Sequence, residues 1–219
     1  RAVLMTGLHP GHAPIRDNVQ AKALGLPFDE GQAPLPAGVT TLPALLRRQG
    51  YATGAFGKWG LGPVGSTGEP ARAGIERFYG YNCQAVAHNH YPTHLWDDGR
   101  RVAIGNPPFA AHQRLAPGDD PADPSVYARF SGNRYAPDLI HEQALRFIRE
   151  NRHRPFFCFV PTTVPHLALQ VPEDSLARHA GRFPEVPYPG GRNYLPNRFP
   201  RAAYAAMVTR LDDEVGRLL

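Results

Sequence analysis

Residues 41–62, TLPALLRRQGYATGAFGKWGLG, pass from one structural state to another within a few turns of chain. Thr41 is an N-cap residue type, Pro43 fits a first helical turn, and Leu42, Leu45 and Leu46 fall on one helical face. Gly50 then closes the helix. From Tyr51 to Phe56 the chain is short, apolar and compatible with a strand, and Gly57, Gly60 and Gly62 open it into a loop. Helix, glycine, strand and glycine loop in this order predict an α/β fold. The loop carries Lys58, and the flanking glycines let backbone and ligand approach it closely.

The same order recurs downstream. A helix is predicted over Asp138 to Asn151, with Ile140, Ala144, Phe147 and Ile148 on one face and charges on the other. Residues 155–161, PFFCFVP, form a continuous apolar run, as expected of a strand buried on both faces of a parallel sheet. That run enters a polar, proline-rich loop, TTVPHLALQVP, which carries His166. In open α/β sheets ligands bind just beyond the carboxyl ends of strands, so Lys58 and His166 mark a candidate site.

Between these two units lie residues 63 to about 136, read mostly as loop. Short strands are expected around HLWDDGRRVAIG (94–105), with a hairpin turn at Asp98-Gly99. Upstream, the apolar AVLMTG (2–7) ends in a turn-rich stretch. Downstream, an amphipathic helix runs from about Pro200, with Tyr204, Met207, Leu211, Val215 and Leu218 at helical spacing.

Composition narrows the function classes. Hydrophobic residues make up 42% and charged residues 20% of 219, an ordinary globular mix. With 24 prolines and 22 glycines the loops are long, and long ordered loops carry function. The net charge of +5 suits an anionic partner, but its Arg and Lys are scattered and no aromatic-interleaved basic stripe appears, which argues against nucleic acid. Cys83 and Cys158 lie in no zinc-binding spacing, and no apolar run reaches the length of a membrane span. The chain begins with Arg and ends on a helical pattern, and reads as an excerpt of a longer protein.

The motifs resemble those of the sulfatases, formylglycine-dependent enzymes of the alkaline-phosphatase-like superfamily, and look most like bacterial arylsulfatases. RAVLMTGLHPGHAPIRDN (1–18) is similar to the family signature Cys-x-Pro-Ser-Arg from its arginine onward. GYATGAFGKWGLG (50–62) resembles Gly-Tyr-x-Thr followed by Gly-Lys-Trp-His-Leu-Gly, with Gly60 where the family has histidine. GIERFYGY (74–81), RPFFCFVPTTVPHLALQVP (154–172) and YAAMVTRLDDEVGRLL (204–219) follow in family order. The resemblance implies an α/β sandwich with a mostly parallel central sheet flanked by helices. Residues 1–219 would be the central part of one catalytic domain. The N-terminal metal and nucleophile segment and the C-terminal part would lie outside it, and the piece would be inactive alone.

The resemblance further implies a sulfuric ester hydrolase acting on a small-molecule or carbohydrate sulfate ester, in the periplasm or secreted. Calcium would be held by residues outside this chain, as a hard cation with oxygen ligands, and no metal ligand is expected within it. Formylglycine would arise from a Cys or Ser just upstream of Arg1. Arg1 would orient the formylglycine hydrate through its donor fork, and Lys58 would place a point charge on sulfate or the leaving oxygen. His166 would contact sulfate or the leaving group and move a proton. In AHNHYPTHLW (87–96), His88, His90 and His94 do not make a strong zinc pattern. The segment reads as a substrate-lining loop, with His88 and His90 as substrate-binding candidates. They could also cover the role of the histidine that Gly60 replaces, helping the formylglycine hydroxyl lose its proton. His9, His12, His112, His141, His153 and His179 read as surface or structural, and Trp59 as packing. Two other readings stay open: a phosphodiesterase or phosphonate-ester hydrolase of the same superfamily, and a non-catalytic sulfatase-like binding protein.

Overall fold

Residues 1–191 and 193–219 are described by the computed structural model. Along them run α1 (Ala2–Thr6), α2 (Leu42–Arg48), β1 (Ala52–Lys58), β2 (Arg77–Tyr81), β3 (His94–Asp97) and β4 (Arg100–Ala103). There follow α3 (Ala136–Asn151), β5 (Phe156–Phe159), α4 (Glu173–Ala177) and α5 (Pro200–Leu218). Contacts divide the chain into two units. The first comprises Arg1–Gln84, Leu95–Val102 and Ile140–Thr162, and the second Ala85–His94, Ala103–Leu139 and Thr163–Leu219.

The first unit is built on β1. Thr41 caps α2 by accepting from Ala44 N at 3.4 Å, while its own hydroxyl donates to Ala73 O at 2.6 Å. The chain reverses at Gly50, φ 83°, into β1, whose first six residues are buried. β1 pairs in parallel with β2 on one side, from Gly54↔Arg77 to Lys58↔Tyr81, and with β5 on the other, from Ala52↔Phe156 to Ala55↔Phe159. The sheet order is β4-β3-β2-β1-β5. The β2-β1-β5 side is parallel, as expected, but the β3–β4 hairpin extends the sheet with β3 antiparallel to β2, so the described sheet is mixed rather than mostly parallel. Asp98 and Gly99 turn that hairpin with φ 44° and 84°, the positive pair a type I′ turn needs.

Two expectations change. Residues of β5 are only half-buried, not buried on both faces, because β5 closes the edge of the sheet and has one strand neighbour among the described residues. β2 lies inside GIERFYGY, a stretch read only as a motif. Its strand character is masked by Gly80, which is there because a Cβ would come within 2.0 Å of Gly57 O. The core of this unit gathers Met5, Leu35, Ala55, Trp59, Leu61 and Phe78, and Phe147 of α3 packs on Phe56 at 5.4 Å between ring centres. Leu42 and Leu45 of α2 remain exposed.

The second unit is mostly loop, pinned by α4 and α5. α5 turns inward a face of Ala202, Ala203, Ala206 and Met207. Tyr204 and Val215, placed by spacing on the apolar stripe, are exposed. Small side chains let the helix backbone come close, so alanines fill most of the packed face beside Met207, which the expected stripe did include. Arg210 of α5 donates to both oxygens of Asp138, at 2.8 and 2.5 Å, and to Ser175 Oγ at 2.6 Å.

Candidate active site

In the first unit the end of β1 delivers Lys58 to the carboxyl edge of the sheet. Its backbone N–H donates to Pro161 O at 2.9 Å, and Trp59 N donates to Tyr81 O at 2.9 Å, so the strand is held on both sides up to the turn. At Gly57 φ is 139°, and a Cβ would lie 2.3 Å from Pro161 O, which explains the glycine before the lysine. Trp59 is fully buried and donates from Nε1 to Gly68 O at 2.8 Å, a packing role as expected.

Arg1 reaches the same edge. Its guanidinium donates to Lys58 O at 2.8 Å, across 57 positions of chain. Two cations therefore stand side by side. Among the described residues neither makes an ion pair with a carboxylate. Burial, and then the Arg1 charge, push the Lys58 ammonium down to about 8, with a smaller opposing pull from Cys83. Burial also lowers Arg1.

Beside Arg1 is a cavity of about 320 Å³ lined by Arg1, Arg16, Asp17, Asn18, Gly60 and Gln84 among others. Gly60 sits at φ 69°, and a Cβ there would meet the Gln84 side chain at 3.1 Å and Gln32 Oε1 at 3.3 Å. Gln84 donates from Nε2 to Asn18 Oδ1 at 2.7 Å and from its backbone to Gln32 Oε1 at 3.0 Å, and Gln32 Nε2 faces Cys83 Sγ at 3.7 Å. An amide cluster thus fills the ground a side chain at position 60 would occupy. Asn18 ends the 1–18 motif, where Asp17-Asn18 resembles a family loop feature without an assigned role, whereas Gln84 gave no signal in sequence, since its partner lies 66 residues away.

In the second unit His88 and His166 come together, their rings stacked at 5.2 Å with planes 7° apart. His166 Nδ1 lies 2.5 Å from Leu167 O and donates to it. His112, read from sequence as surface or structural, bonds to His88, with His88 Nδ1 and His112 Nε2 3.2 Å apart. Tyr194 packs its ring on all three imidazoles, at 5.4 to 5.7 Å. Nothing periodic marks residues 109–115 or 193–195, so neither His112 nor Tyr194 was legible in sequence. His90 is placed differently. Its side chain is 0% exposed, with its backbone N–H bonded to Gln170 Oε1 at 2.8 Å and its ring near the Tyr135 hydroxyl and Gln170 O. That setting frames the loop and gives the ring no exposed surface.

Among the described residues no three His, Cys, Asp or Glu side chains converge as a metal site. The cavity beside Arg1 is lined by cations and amides with one carboxylate, Asp17, too few oxygen ligands for a calcium ion.

The sulfatase family profile matches residues 1–219, and the chain belongs to that family. An uncharacterized sulfatase of Schizosaccharomyces pombe is 29% identical over 153 residues, 68% of this chain and 25% of that protein. The crystal structure of Ps i-CgsB superposes with a TM-score of 0.66 at 21% identity, over all of this chain and 42% of that one. The same protein has been solved in complex with k-i-k-neocarrahexaose. BT4656, solved with its substrate D-glucosamine-2-N,6-O-disulfate, aligns with a TM-score of 0.52 at 21% identity, over 84% of this chain and 28% of that one. The chain thus spans less than half the length of these relatives.

Proposed function

We propose that the protein to which this chain belongs hydrolyses a sulfate monoester carried on a carbohydrate, and that residues 1–219 are the central part of one catalytic domain. The observation that carries this reading is the Arg1–Lys58 pair. Two cations held together at a strand end, with no carboxylate on either among the described residues, are stabilised when an anion joins them. Family membership makes sulfate the expected anion. The carbohydrate is suggested by the ligands named for i-CgsB and BT4656. Formylglycine, expected just upstream of Arg1, supplies the nucleophile when present.

The residues of this chain then divide the work. Arg1 holds the oxygens next to the nucleophile through its planar fork, and its bond to Lys58 O sets its direction. Lys58 offsets the charge that grows on the sulfate and leaving oxygens, from a partly desolvated position where a point charge acts strongly. His166, as the imidazolium, gives its Nε2 proton to the leaving oxygen, its Nδ1–H staying on Leu167 O. His88 contacts the substrate, and His90 supports the loop from the interior. The isolated chain is inactive.

The test is turnover by the full-length protein of a panel of carbohydrate and aryl sulfates, with phosphodiesters and phosphonate esters alongside. Formylglycine is read by mass spectrometry. Release of sulfate that falls about 10²–10³-fold in Lys58→Ala supports the reading, on the scale set by loss of one preorganised donor. Phosphoester turnover in place of sulfate release assigns the chain to the sister chemistry. Formylglycine present without any turnover supports a sulfatase-like binding protein, the reading that Gly60 motivates.

A further inference from the structure

The imidazoles of the second unit form a chain whose hydrogens can be placed from its Tyr194 end. His112 Nδ1 receives the backbone N–H of Tyr194 at 2.9 Å. A peptide N–H only donates, so His112 Nδ1 holds a lone pair and the ring hydrogen sits on Nε2. That Nε2 is 3.2 Å from His88 Nδ1. His112 must be the donor there and His88 the acceptor, which places the His88 hydrogen on Nε2. A second proton on His88 Nδ1 would set two N–H groups against each other.

The backbone around the anchor is specialised for this arrangement. Tyr194 has φ 65°, a left-handed conformation that a bulky side chain rarely adopts. In it the amide of Tyr194 reaches His112 while its ring covers His88, His112 and His166. The stacked His166 ring, nearly parallel to His88, further limits rotation of the His88 plane.

We propose that His112 is a positioning residue that, anchored by the Tyr194 amide, fixes His88 as its Nε2–H tautomer, so that His88 meets the substrate as a hydrogen-bond donor. The group it recognises is an oxygen acceptor, a sulfate or sugar oxygen. This use rests on the hydrolase reading above, whereas the tautomer does not.

The full-length protein with ¹⁵N-labelled histidine tests it by long-range ¹H–¹⁵N correlation of the ring nitrogens, His88 being assigned by the signals lost in His88→Gln. The expected spectrum has a pyridine-like Nδ1 and a pyrrole-like Nε2. His112→Phe keeps a ring in the stack but removes the donor. It should release His88 into exchange between tautomers and raise KM for the sulfated substrate about twofold, the fall in the fraction of His88 that carries the Nε2 hydrogen. His112→Gln restores an N–H donor and should recover both. A pyridine-like Nε2 or averaged tautomers in the unmodified protein overturn the proposal, and so does an unchanged His88 spectrum in His112→Phe. A fixed Nε2–H tautomer in a protein that turns over no sulfate ester supports the positioning and refutes the hydrolase reading alone.

Discussion

Lys58 gives the sharpest prediction, because its ammonium is pushed down to about 8 by burial and by Arg1. An anion that binds only the charged form should feel this directly. With a pKa of about 8, roughly nine-tenths of the amine is charged at about pH 7 and roughly one-tenth at about pH 9. Inorganic sulfate should therefore bind the full-length protein about tenfold more weakly at the higher pH, whereas a lysine at its ordinary value would leave affinity flat. Calorimetric titration of sulfate at constant ionic strength reads the slope without turnover, and constant salt keeps screening fixed. Lys58→Met should remove the pH dependence and weaken binding at pH 7 to the level seen at high pH.

The sign of the stability effect is a second check on the same residue. The folded value lies below the unfolded value, so the charged amine opposes folding at every pH below about 8. That opposition fades as pH rises from there toward the ordinary lysine range. Lys58→Met should therefore raise Tm at pH 7 while lowering sulfate affinity. A sulfate affinity unchanged between pH 7 and 9, together with a lower Tm for Lys58→Met, would refute the idea of an anion site held open by two cations.

Position 60 yields a prediction of a different kind. Gly60→His alone should lower stability by about 1–3 kcal/mol, because the left-handed backbone and the Gln84 side chain both oppose a Cβ there. Paired with Gln84→Ala it should recover part of that loss in thermal melts, and only the pair gives a fair comparison of activity. Trp59→Phe should cost about 1–3 kcal/mol by leaving Gly68 O without its buried donor, with sulfate affinity unchanged. In the second unit, burial and then Asp138 push Glu214 up to about 7, against the pull of Arg210 and Arg217. Its charged form opposes folding above that pH and the effect vanishes below the ordinary glutamate value. Glu214→Gln should then raise Tm at pH 8 and leave it unchanged at pH 4.

Much of the fold was legible because its signals are local. The cap at Thr41, the stop at Gly50, the apolar run of β1 and the turn at Asp98-Gly99 each depend on a few consecutive residues. β2 was missed, since a strand interrupted by a glycine for backbone clearance loses the pattern that would announce it. The packed face of α5 was placed only in part, through Met207, for a related reason: periodicity ranks residues by apolar bulk, and close helix packing selects alanine. At the candidate site, Arg1, Lys58 and His166 were named from motifs, and the structure adds that Arg1 and Lys58 touch and that His166 stacks on His88.

The sequence by itself determined α2, β1, the β3–β4 hairpin, α3, β5 and α5, the family to which the chain belongs, and the residue types available for anion chemistry, because each is carried by contiguous residues. Tertiary structure alone decided which charges share a boundary and which, among the described residues, have no carboxylate beside them. It also decided that Gln84 occupies the ground beside Gly60, and that His112 and Tyr194 set the hydrogens of His88. Those facts depend on contacts tens of residues apart along the chain, where the identity of a neighbour follows from the path of the backbone and from no pattern within reach of either residue.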